Sequence, residues 1–490
     1  MEAFLISIPF ILALFLLTSF FPSPKPHKNP PPSPPKLPII GNLHQLGSSP
    51  HRALQAMARS YGPLMLIHLG SVPVLVASSI ESAKEIMKTH DLVFASRPRL
   101  NIPRRIFYDN QDIAFSQYGE YWRQVKSIAV LHLLSNKRVQ SYEHVRVDEM
   151  ELMMQKIQRA NGSAFNLSES LISLTNNVVC RVALGRTYEG RKFKNLLERL
   201  MELLGCFSVG SYIPSLKWVD WLSGLERKAD EVSKEFDEFL EGVIDEHVNA
   251  KGVVGFEGSK GQDLVDVLLE FQRENVKGFH LKRDMIKAII VDLFTAGTDT
   301  TFTSLEWAIC ELLRHPRAMQ ELRREVVEIG QGRSSITEDN LDKLPYLKAV
   351  IKEALRLHTP LPLLVPREST EDVKLLGYDI LSGTQVLVNA WAIARDPSVW
   401  EEPEEFRPER FLNSSIDYKG FHFELLPFGA GRRGCPGIQF AMNVNELVLA
   451  NLVYKFDLHL VGEGDMDMSE TNGITVHKKH PILVSATARF

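Results

Sequence analysis

One long helical segment near the middle of the chain constrains the fold more than any other feature. Apolar residues recur at helical spacing from Ile286 to Leu313, and the stripe is broken at Pro316. A helix from residue 282 to residue 314 would be about 50 Å long. Its centre reads AGTDTT (residues 296–301), although glycine costs roughly 1 kcal/mol in a helix and Thr and Asp are mediocre helix formers. This centre is either a functional site or a glycine tolerated in a packed helix.

The composition is that of a large globular protein. The chain has 490 residues, of which 44% are hydrophobic and 24% are charged; this length alone predicts two or three domains. The 56 basic and 60 acidic residues give a net charge of -4, which indicates no nucleic-acid partner, and nothing implies an obligate oligomer. Helical patterns dominate between about residues 80 and 355, with strand-like runs at 63–79 and 384–393. The sequence therefore predicts a mainly α fold with a small β portion.

The N-terminus predicts a single membrane anchor. Ala3 to Phe21 is a run of 19 residues without a charge, which is long enough to span a bilayer. Basic residues follow the run, so the positive-inside rule places the rest of the chain in the cytosol. The alternative, a cleaved signal peptide, lacks a basic n-region and a small-residue cleavage site. We expect a transmembrane anchor at 1–21 that holds the protein in the endoplasmic reticulum membrane with the rest facing the cytosol.

A proline-rich segment separates this anchor from the remainder of the chain. Nine prolines fall between Pro22 and Pro38, and such a segment favours an extended, semi-rigid form. A disordered linker is the alternative. We predict a linker over residues 22–38 and one catalytic unit over 39–490.

Cysteine usage indicates a reducing compartment rather than a disulfide or zinc scaffold. Four cysteines in 490 residues are sparse, and no pair has CxxC spacing. Cys435 differs from the others because it lies in a glycine-rich loop (428–437) that opens into a helical pattern from Ile438. A thiol just before a helix N-terminus is expected to have a lowered pKa. From the residues alone, Cys435 is a metal ligand, a redox centre, a nucleophile or an ordinary structural cysteine, although no local base favours the nucleophile.

Several motifs, in order along the chain, resemble those of the cytochrome P-450 family. The cysteine loop matches that family's haem-binding signature, F-x-x-G-x-R-x-C-x-G, at every fixed position. The other matching motifs are YWRQVK (121–126), AGTDTT (296–301), KEALR (352–356) and FRPERF (406–411). The resemblance covers essentially the whole chain. It is greatest to the plant microsomal A-type group of specialised metabolism.

The resemblance implies a bound haem b, with the thiolate of Cys435 as the iron ligand and Phe428 in the cofactor-binding loop. A thiolate ligand donates electron density that favours O–O cleavage. Lys126 stands where the family usually has arginine; lysine keeps the charge but loses the bidentate fork. The residues that the resemblance places at the haem propionates are Trp122, Lys126, His358 and Arg433, with Arg97 and Arg367 as weaker candidates.

A second implied group is structural. Glu353 and Arg356 lie three residues apart on a predicted helix and therefore share a face. The resemblance adds Arg410 and implies a buried carboxylate–guanidinium cluster. The alternative is a surface pair worth a few tenths of a kcal/mol.

The poor helix formers at 296–301 acquire a role under the same resemblance. Ala296 and Gly297 leave room for O2, Thr300 hydrogen-bonds oxygen or a water, and Asp299 links the site to solvent protons. Hydroxyls in mid-helix also bond to the i-4 carbonyl and bend a helix, so we expect a local widening there.

The implied activity is monooxygenation with O2 and with electrons from NADPH delivered by a separate reductase. The chain itself has no nucleotide-binding fingerprint. The substrate is expected to be a small, largely apolar molecule such as a terpenoid, a coumarin-type phenolic or an alkaloid. The alternatives are a haem-thiolate dehydratase or isomerase that needs no O2, or a non-catalytic haem sensor. The pocket residues that the resemblance implies are Phe294, Ala296, Leu363, Leu364 and Ile474.

Overall fold

The computed structural model describes residues 28–188, 191–250, 262–274, 279–462, 466–471 and 473–489. Within these ranges no helix is both long and apolar enough to cross a membrane. The predicted anchor at 1–21 lies outside the described residues.

The fold is mainly helical with a small β portion, which confirms the predicted class. The helices, numbered along the chain, are α1 (Pro50–Tyr61), α2 (Ile80–Lys84), α3 (Asn101–Ile106), α4 (Glu120–Ile128), α5 (Asn136–Ser141), α6 (Glu143–Ala160), α7 (Leu167–Leu184), α8 (Arg191–Gly205), α9 (Val209–Tyr212), α10 (Trp218–Leu222), α11 (Leu225–Ala250), α12 (Leu264–Glu274), α13 (Arg283–Arg314), α14 (Pro316–Gly330), α15 (Glu338–Leu341), α16 (Pro345–Leu357), α17 (Ala390–Ile393) and α18 (Ile438–Lys455).

The strands form three small sheets. They are β1 (Leu64–Leu69), β2 (Val72–Ala77), β3 (Ala164–Asn166), β4 (Arg367–Glu368), β5 (Val373–Leu375), β6 (Tyr378–Ile380), β7 (Gln385–Val388), β8 (Phe456–Leu460) and β9 (Leu483–Ala488). The first sheet has the order β1-β2-β7-β4, the second β3-β9-β8, and the third β5-β6. In the first sheet β1 and β2 form an antiparallel hairpin in which Leu64 faces Ala77, and β2 runs parallel to β7 with Val74 beside Gln385.

The predicted long helix is α13, which begins one residue after Lys282 and ends before Pro316. It passes through the core and packs against α7, α16 and α18. Most of its residues from Ile286 to Leu312 are buried, polar ones included, as expected of a helix surrounded by other helices. The helix is regular α throughout, and the predicted local widening at 296–301 is absent.

Two other sequence expectations need correction in detail. The strand-like run at 384–393 is only half strand, because the side chain of Asn389 accepts the backbone N–H of Ala392 at 3.1 Å and caps the short helix α17. In the proline-rich segment, residues 28–38 pack on the folded unit: Leu66 donates its backbone N–H to Pro32, and Asn42 donates to Pro35. This part of the segment is therefore bound to the first sheet.

Candidate functional site

The glycine-rich loop presents Cys435 by means of its own backbone. Gly429 and Gly431 have φ values of 65° and 68°, a left-handed conformation that favours glycine. A Cβ atom on Gly431 would overlap the carbonyl oxygen of Met87. The backbone N–H of Cys435 donates to the oxygen of Phe428 at 3.0 Å, and the N–H of Gly437 points at the sulfur at 3.3 Å. The loop thus folds back on itself and holds the sulfur at the wall of a cavity.

The electrostatics of the thiol differ from the sequence expectation. Burial raises the pKa of Cys435, and it outweighs the Gly437 amide and the charge of Lys126, which both act in the opposite direction. The predicted lowering by the helix terminus was therefore wrong for the protein alone, because desolvation of a thiolate is the larger effect. A metal ion that replaced the proton would supply the missing positive charge and deprotonate the thiol outright.

The cavity lies between the cysteine loop and α13. The centre of the face of α13 that lines it carries small and hydroxyl residues, and Thr300 donates its hydroxyl to the carbonyl of Ala296 at 2.6 Å. Gly297 also serves packing, since a Cβ atom there would lie 3.2 Å from Val179 on α7. Apolar side chains form much of the remaining wall. They include Ile113, Leu134, Val179, Val182, Leu361, Leu364, Val365 and Phe440.

One corner of the cavity concentrates buried cations without carboxylate partners. Arg97 donates to the carbonyl oxygens of Ala114, Val365 and Pro366, and Arg433 donates to those of Ala95, Ile113 and Ser116; no ion pair is formed by either residue in the described part of the chain. Burial, with repulsion from neighbouring arginines, lowers the pKa of Arg97 well below its ordinary value and that of Arg433 to about 9.

This corner fits an anionic ligand. Lys126 joins the two arginines in the lining, and burial lowers its pKa to about 8. The ring centroid of Trp122 lies 4.2 Å from the guanidinium of Arg433, and its Nε1–H donates to the carbonyl oxygen of Ile113. Buried positive charges are costly unless they are paired, so a group with two carboxylates beside the cysteine sulfur suits these residues. Haem, with its two propionates, meets that description.

Two of the predicted site residues do not line the cavity. Asp299 turns toward the C-terminal segment, where its Oδ2 lies 3.2 Å from Nε2 of His477. His358 stacks on Trp307 with ring centroids 4.1 Å apart and bonds to Glu311 at 2.7 Å. Both side chains therefore lie away from the cation corner. Asp299 is directed by its contact with His477, and His358, at the end of α16, by its contacts with Trp307 and Glu311.

The predicted substrate-pocket residues divide in the same way. Ala296 and Leu364 line the cavity. Phe294 points to the other side of α13 and packs edge-on against Phe193 at 5.4 Å, while Leu363 packs with the first sheet and Ile474 with the main core. The last three are outside the lining.

A buried acid in the lining had no sequence signal of its own. Asp292 lies one turn before Ala296 and accepts the backbone N–H groups of Ile113 and Ala114 at 3.0 and 3.2 Å. Burial raises the pKa of Asp292 to about 6. The helical spacing 292, 296, 300 could have revealed a shared face, but only the loop at 113–114 explains the carboxylate.

The Glu353–Arg356–Arg410 cluster is assembled away from the cavity. Arg356 makes a two-pronged bond to Glu353 at 2.7 and 2.9 Å, both residues are fully buried, and Arg410 adds a bond at 2.9 Å. Arg356 also donates to the carbonyls of Ala394 and of residues 403 and 405. The cluster ties α16 to the PERF turn and to the loop that precedes it.

The helical fold, the cysteine loop and the cavity against the long helix together define a protein that holds a thiolate-ligated cofactor. The cytochrome P-450 family model matches residues 31–485. The chain is 56% identical over 488 residues to a 3-beta-hydroxylase of Tanacetum parthenium, with 98% of this chain and 97% of that protein covered. It is 52% identical to a psoralen synthase of Ammi majus, and the match covers 97% of this chain and 96% of that protein. It is also 52% identical to a norfluorocurarine oxidase of a Strychnos species, and that match covers 98% of this chain and 97% of that protein.

Solved structures agree. A zebrafish cytochrome P-450 determined with abiraterone superposes with a TM-score of 0.76 at 25% identity, and the match covers 90% of this chain and all of that one. The chain belongs to the cytochrome P-450 family, in the plant A-type group. It is a haem-thiolate monooxygenase that uses O2 and electrons from NADPH, delivered by a separate reductase, and acts on a small molecule.

Proposed function

We propose that this monooxygenase oxidises a small, largely apolar plant metabolite such as a terpenoid, a coumarin-type phenolic or an alkaloid. The observation that carries the proposal is that Cys435 and the Ala296–Thr300 face of α13 line one cavity whose remaining wall is mostly apolar. Relatives named as a hydroxylase, a psoralen synthase and an alkaloid oxidase fit the same range of substrates.

The proposed roles follow from the contacts in the cavity. The sulfur of Cys435 would hold the haem iron, Phe428 would contribute to the cofactor-binding loop, and Arg97, Lys126 and Arg433 would hold the propionates, with Trp122 supporting Arg433. When bound, haem supplies the activation of oxygen and the oxidation chemistry. Thr300 places a hydroxyl at the cavity, where its oxygen would accept a hydrogen bond from a water or a bound ligand while its own proton is donated to the carbonyl of Ala296. The apolar wall orients the substrate and keeps bulk water away.

The N-terminal region supports a microsomal location. The uncharged run at 3–21 and the basic residues after it favour a single-pass anchor of the endoplasmic reticulum with the catalytic unit in the cytosol. Because residues 28–38 pack on the folded unit, only the part of the predicted linker before residue 28 would remain to space that unit from the membrane. Sequons at Asn161, Asn166 and Asn413 would then remain unglycosylated. Alkaline extraction of microsomes and an endoglycosidase digest test the anchor and its orientation.

The first test of function is the reduced, CO-bound difference spectrum of expressed microsomes. A strongly red-shifted Soret band is expected, and its absence from folded protein would overturn the assignment of Cys435. A panel of terpenoids, coumarins and alkaloids is then titrated by the shift of the Soret band, and hits are incubated with NADPH and reductase. Product that forms only with O2 supports a monooxygenase; product formed without O2 would favour a dehydratase or isomerase. CO binding without NADPH consumption would favour a sensor.

A further inference from the structure

The pair Asp299–His477 carries an inference about proton handling. Asp299 precedes Thr300 on α13, but residues adjacent on a helix point about 100° apart. Thr300 lines the cavity, whereas Asp299 is directed to His477, with 3.2 Å between Oδ2 and Nε2. Both side chains are largely buried, so solvent screens the electrostatic attraction between them only weakly.

His477 is held in place by the backbone around it. Its carbonyl accepts the N–H of Thr471 at 2.8 Å. The neighbouring Val476 donates to Pro360 at 2.9 Å and accepts from the indole of Trp307 on α13 at 3.1 Å. These bonds fix the backbone of His477 beside α13.

A third residue, Thr303, is linked to the protonation state of the imidazole. The hydroxyl of Thr303 lies 2.8 Å from the carbonyl oxygen of Asp299 and 2.7 Å from Nδ1 of His477. A hydroxyl has one proton to donate. If it donates to the carbonyl, Nδ1 must donate to it, and the contact of Nε2 with the carboxylate then requires a proton on each ring nitrogen. If it donates to Nδ1, the ring is neutral and the contact with Asp299 is no longer an ion pair.

The charges that face His477 favour the doubly protonated form. On α13 these are Asp299 and Glu306, and on the same segment the ammonium of Lys478 turns to the carbonyl of His480. Glu306 is held by the hydroxyl of Ser168 on α7. Burial opposes the charge on the imidazole, but the hydrogen bond and attraction from Asp299, aided by Glu306, outweigh it and raise the pKa of His477.

We propose that His477 is a positioning residue for Asp299: the imidazolium holds the carboxylate outside the cavity, and loss of its proton to solvent releases the carboxylate toward Thr300. Only an N–H bond changes and no electron moves. The inference rests on the proposed monooxygenase function and on the sequence expectation that Asp299 links the site to solvent protons. It makes the position of the Asp299 carboxylate depend on pH through a residue outside the AGTDTT motif.

The test combines three variants with one control. His477→Gln keeps a bond to Thr303 but cannot become charged, with His477→Asn as a shorter second choice if the first fails to fold. Asp299→Asn and the double variant complete a cycle. His480→Gln, an exposed histidine on the same segment, is the control. Each holoprotein is measured at about pH 6 and about pH 8.5, on either side of the ordinary histidine range.

Two readouts separate the possible outcomes. With reductase and NADPH, wild type should release peroxide in a proportion that falls at least about tenfold from the lower to the higher pH, as expected for loss and gain of an acid–base group. The proportion of peroxide should be low at both pH values in His477→Gln and high at both pH values in Asp299→Asn. A wild-type profile retained in His477→Gln would overturn the proposal.

The second readout does not depend on activity. The unfolding midpoints of the four proteins should show coupling between positions 299 and 477 at the lower pH that disappears at the higher pH, because the folded-state pKa of His477 is raised and its stabilisation is lost as pH rises through that value. Coupling that is equal at both pH values would overturn the switch. If wild type formed no CO complex, the proposed function would fall, and this readout would still decide the ion pair.

Discussion

The Nζ atom of Lys126 lies 2.7 Å from the carbonyl oxygen of Gly434, the residue just before Cys435. Lys126 is on α4, so one charged hydrogen bond joins that helix to the cysteine loop at the wall of the cavity. It is the position where the family usually has arginine, and here the single ammonium both braces the loop and adds to the cation corner.

We expect Lys126→Met to weaken haem retention and Lys126→Arg to preserve it. The methionine removes a hydrogen bond to a charged group, worth about 1.5–3 kcal/mol, which corresponds to roughly tenfold or more faster haem loss. The rate of haem transfer to an excess of apo-globin measures this. Lys137→Met, at an exposed lysine, is the control; equal rates for the two methionine variants would contradict the brace.

Removing the carboxylate of Glu353 should abolish folding or haem incorporation rather than alter kinetics. Glu353→Ala leaves Arg356 buried without its partner, at a loss of about 3–5 kcal/mol. Glu321→Ala is a matched control, because Glu321 forms an i,i+3 pair with Arg324 on the surface, where a change stays within about 0.5 kcal/mol. Haem-to-protein ratio and the unfolding midpoint are measured. A fully loaded Glu353→Ala protein of normal stability would refute the prediction.

The hydroxyl of Thr300 should affect how much of the NADPH consumed yields product rather than peroxide, whereas that of Thr295 should not. Both bond back to the i-4 carbonyl, at 2.6 and 2.8 Å, but only Thr300 lines the cavity. Thr300→Ala is expected to raise peroxide per NADPH by about tenfold or more, in the range of a lost acid–base contribution. Thr295→Ala removes the same kind of helix bond. A similar rise in both variants would mean that the helix, not the hydroxyl at the cavity, is responsible.

The two positive-φ glycines of the cysteine loop should differ in their tolerance of a methyl group. Gly429→Ala meets only Leu364 at 3.8 Å, so its loss is the left-handed strain of about 1–2 kcal/mol. Gly431→Ala carries the same strain and also overlaps Met87 and Asp91, so we expect a larger fall in stability and in haem content. Chemical denaturation of both variants measures the difference, and equal values would show that the loop can shift away from Met87.

Ionisation of Glu446 should lower the free energy of unfolding as the pH rises. Burial raises the pKa of this carboxyl from 4.5 to about 7. Because the folded state then binds the proton more tightly than the unfolded state, the stabilisation is full below about pH 4.5 and is lost as pH rises through 7, by about 3 kcal/mol. Glu446→Gln should therefore be more stable than wild type at about pH 8 and similar to it near pH 5. Glu401→Gln, at an exposed carboxylate, should track wild type in the same unfolding series.

Patterns of short range were readable from the chain. The period of apolar residues predicted α13 within one residue of its observed start, and glycine with cysteine predicted the loop at 428–437. The i,i+3 spacing of Glu353 and Arg356 predicted that they share a face. These features depend only on the spacing of residues along the chain and on the regular geometry of one helix or loop, so they can be predicted from the sequence.

Only the tertiary structure decided which neighbours those elements meet. Asp299 and Thr300 adjoin in the sequence, yet one faces a histidine from the C-terminal segment and the other faces the cavity. The same holds for the pKa of Cys435, which the helix terminus alone would lower and burial instead raises. Direction and desolvation depend on what packs around a residue from distant parts of the chain, and no local pattern specifies that.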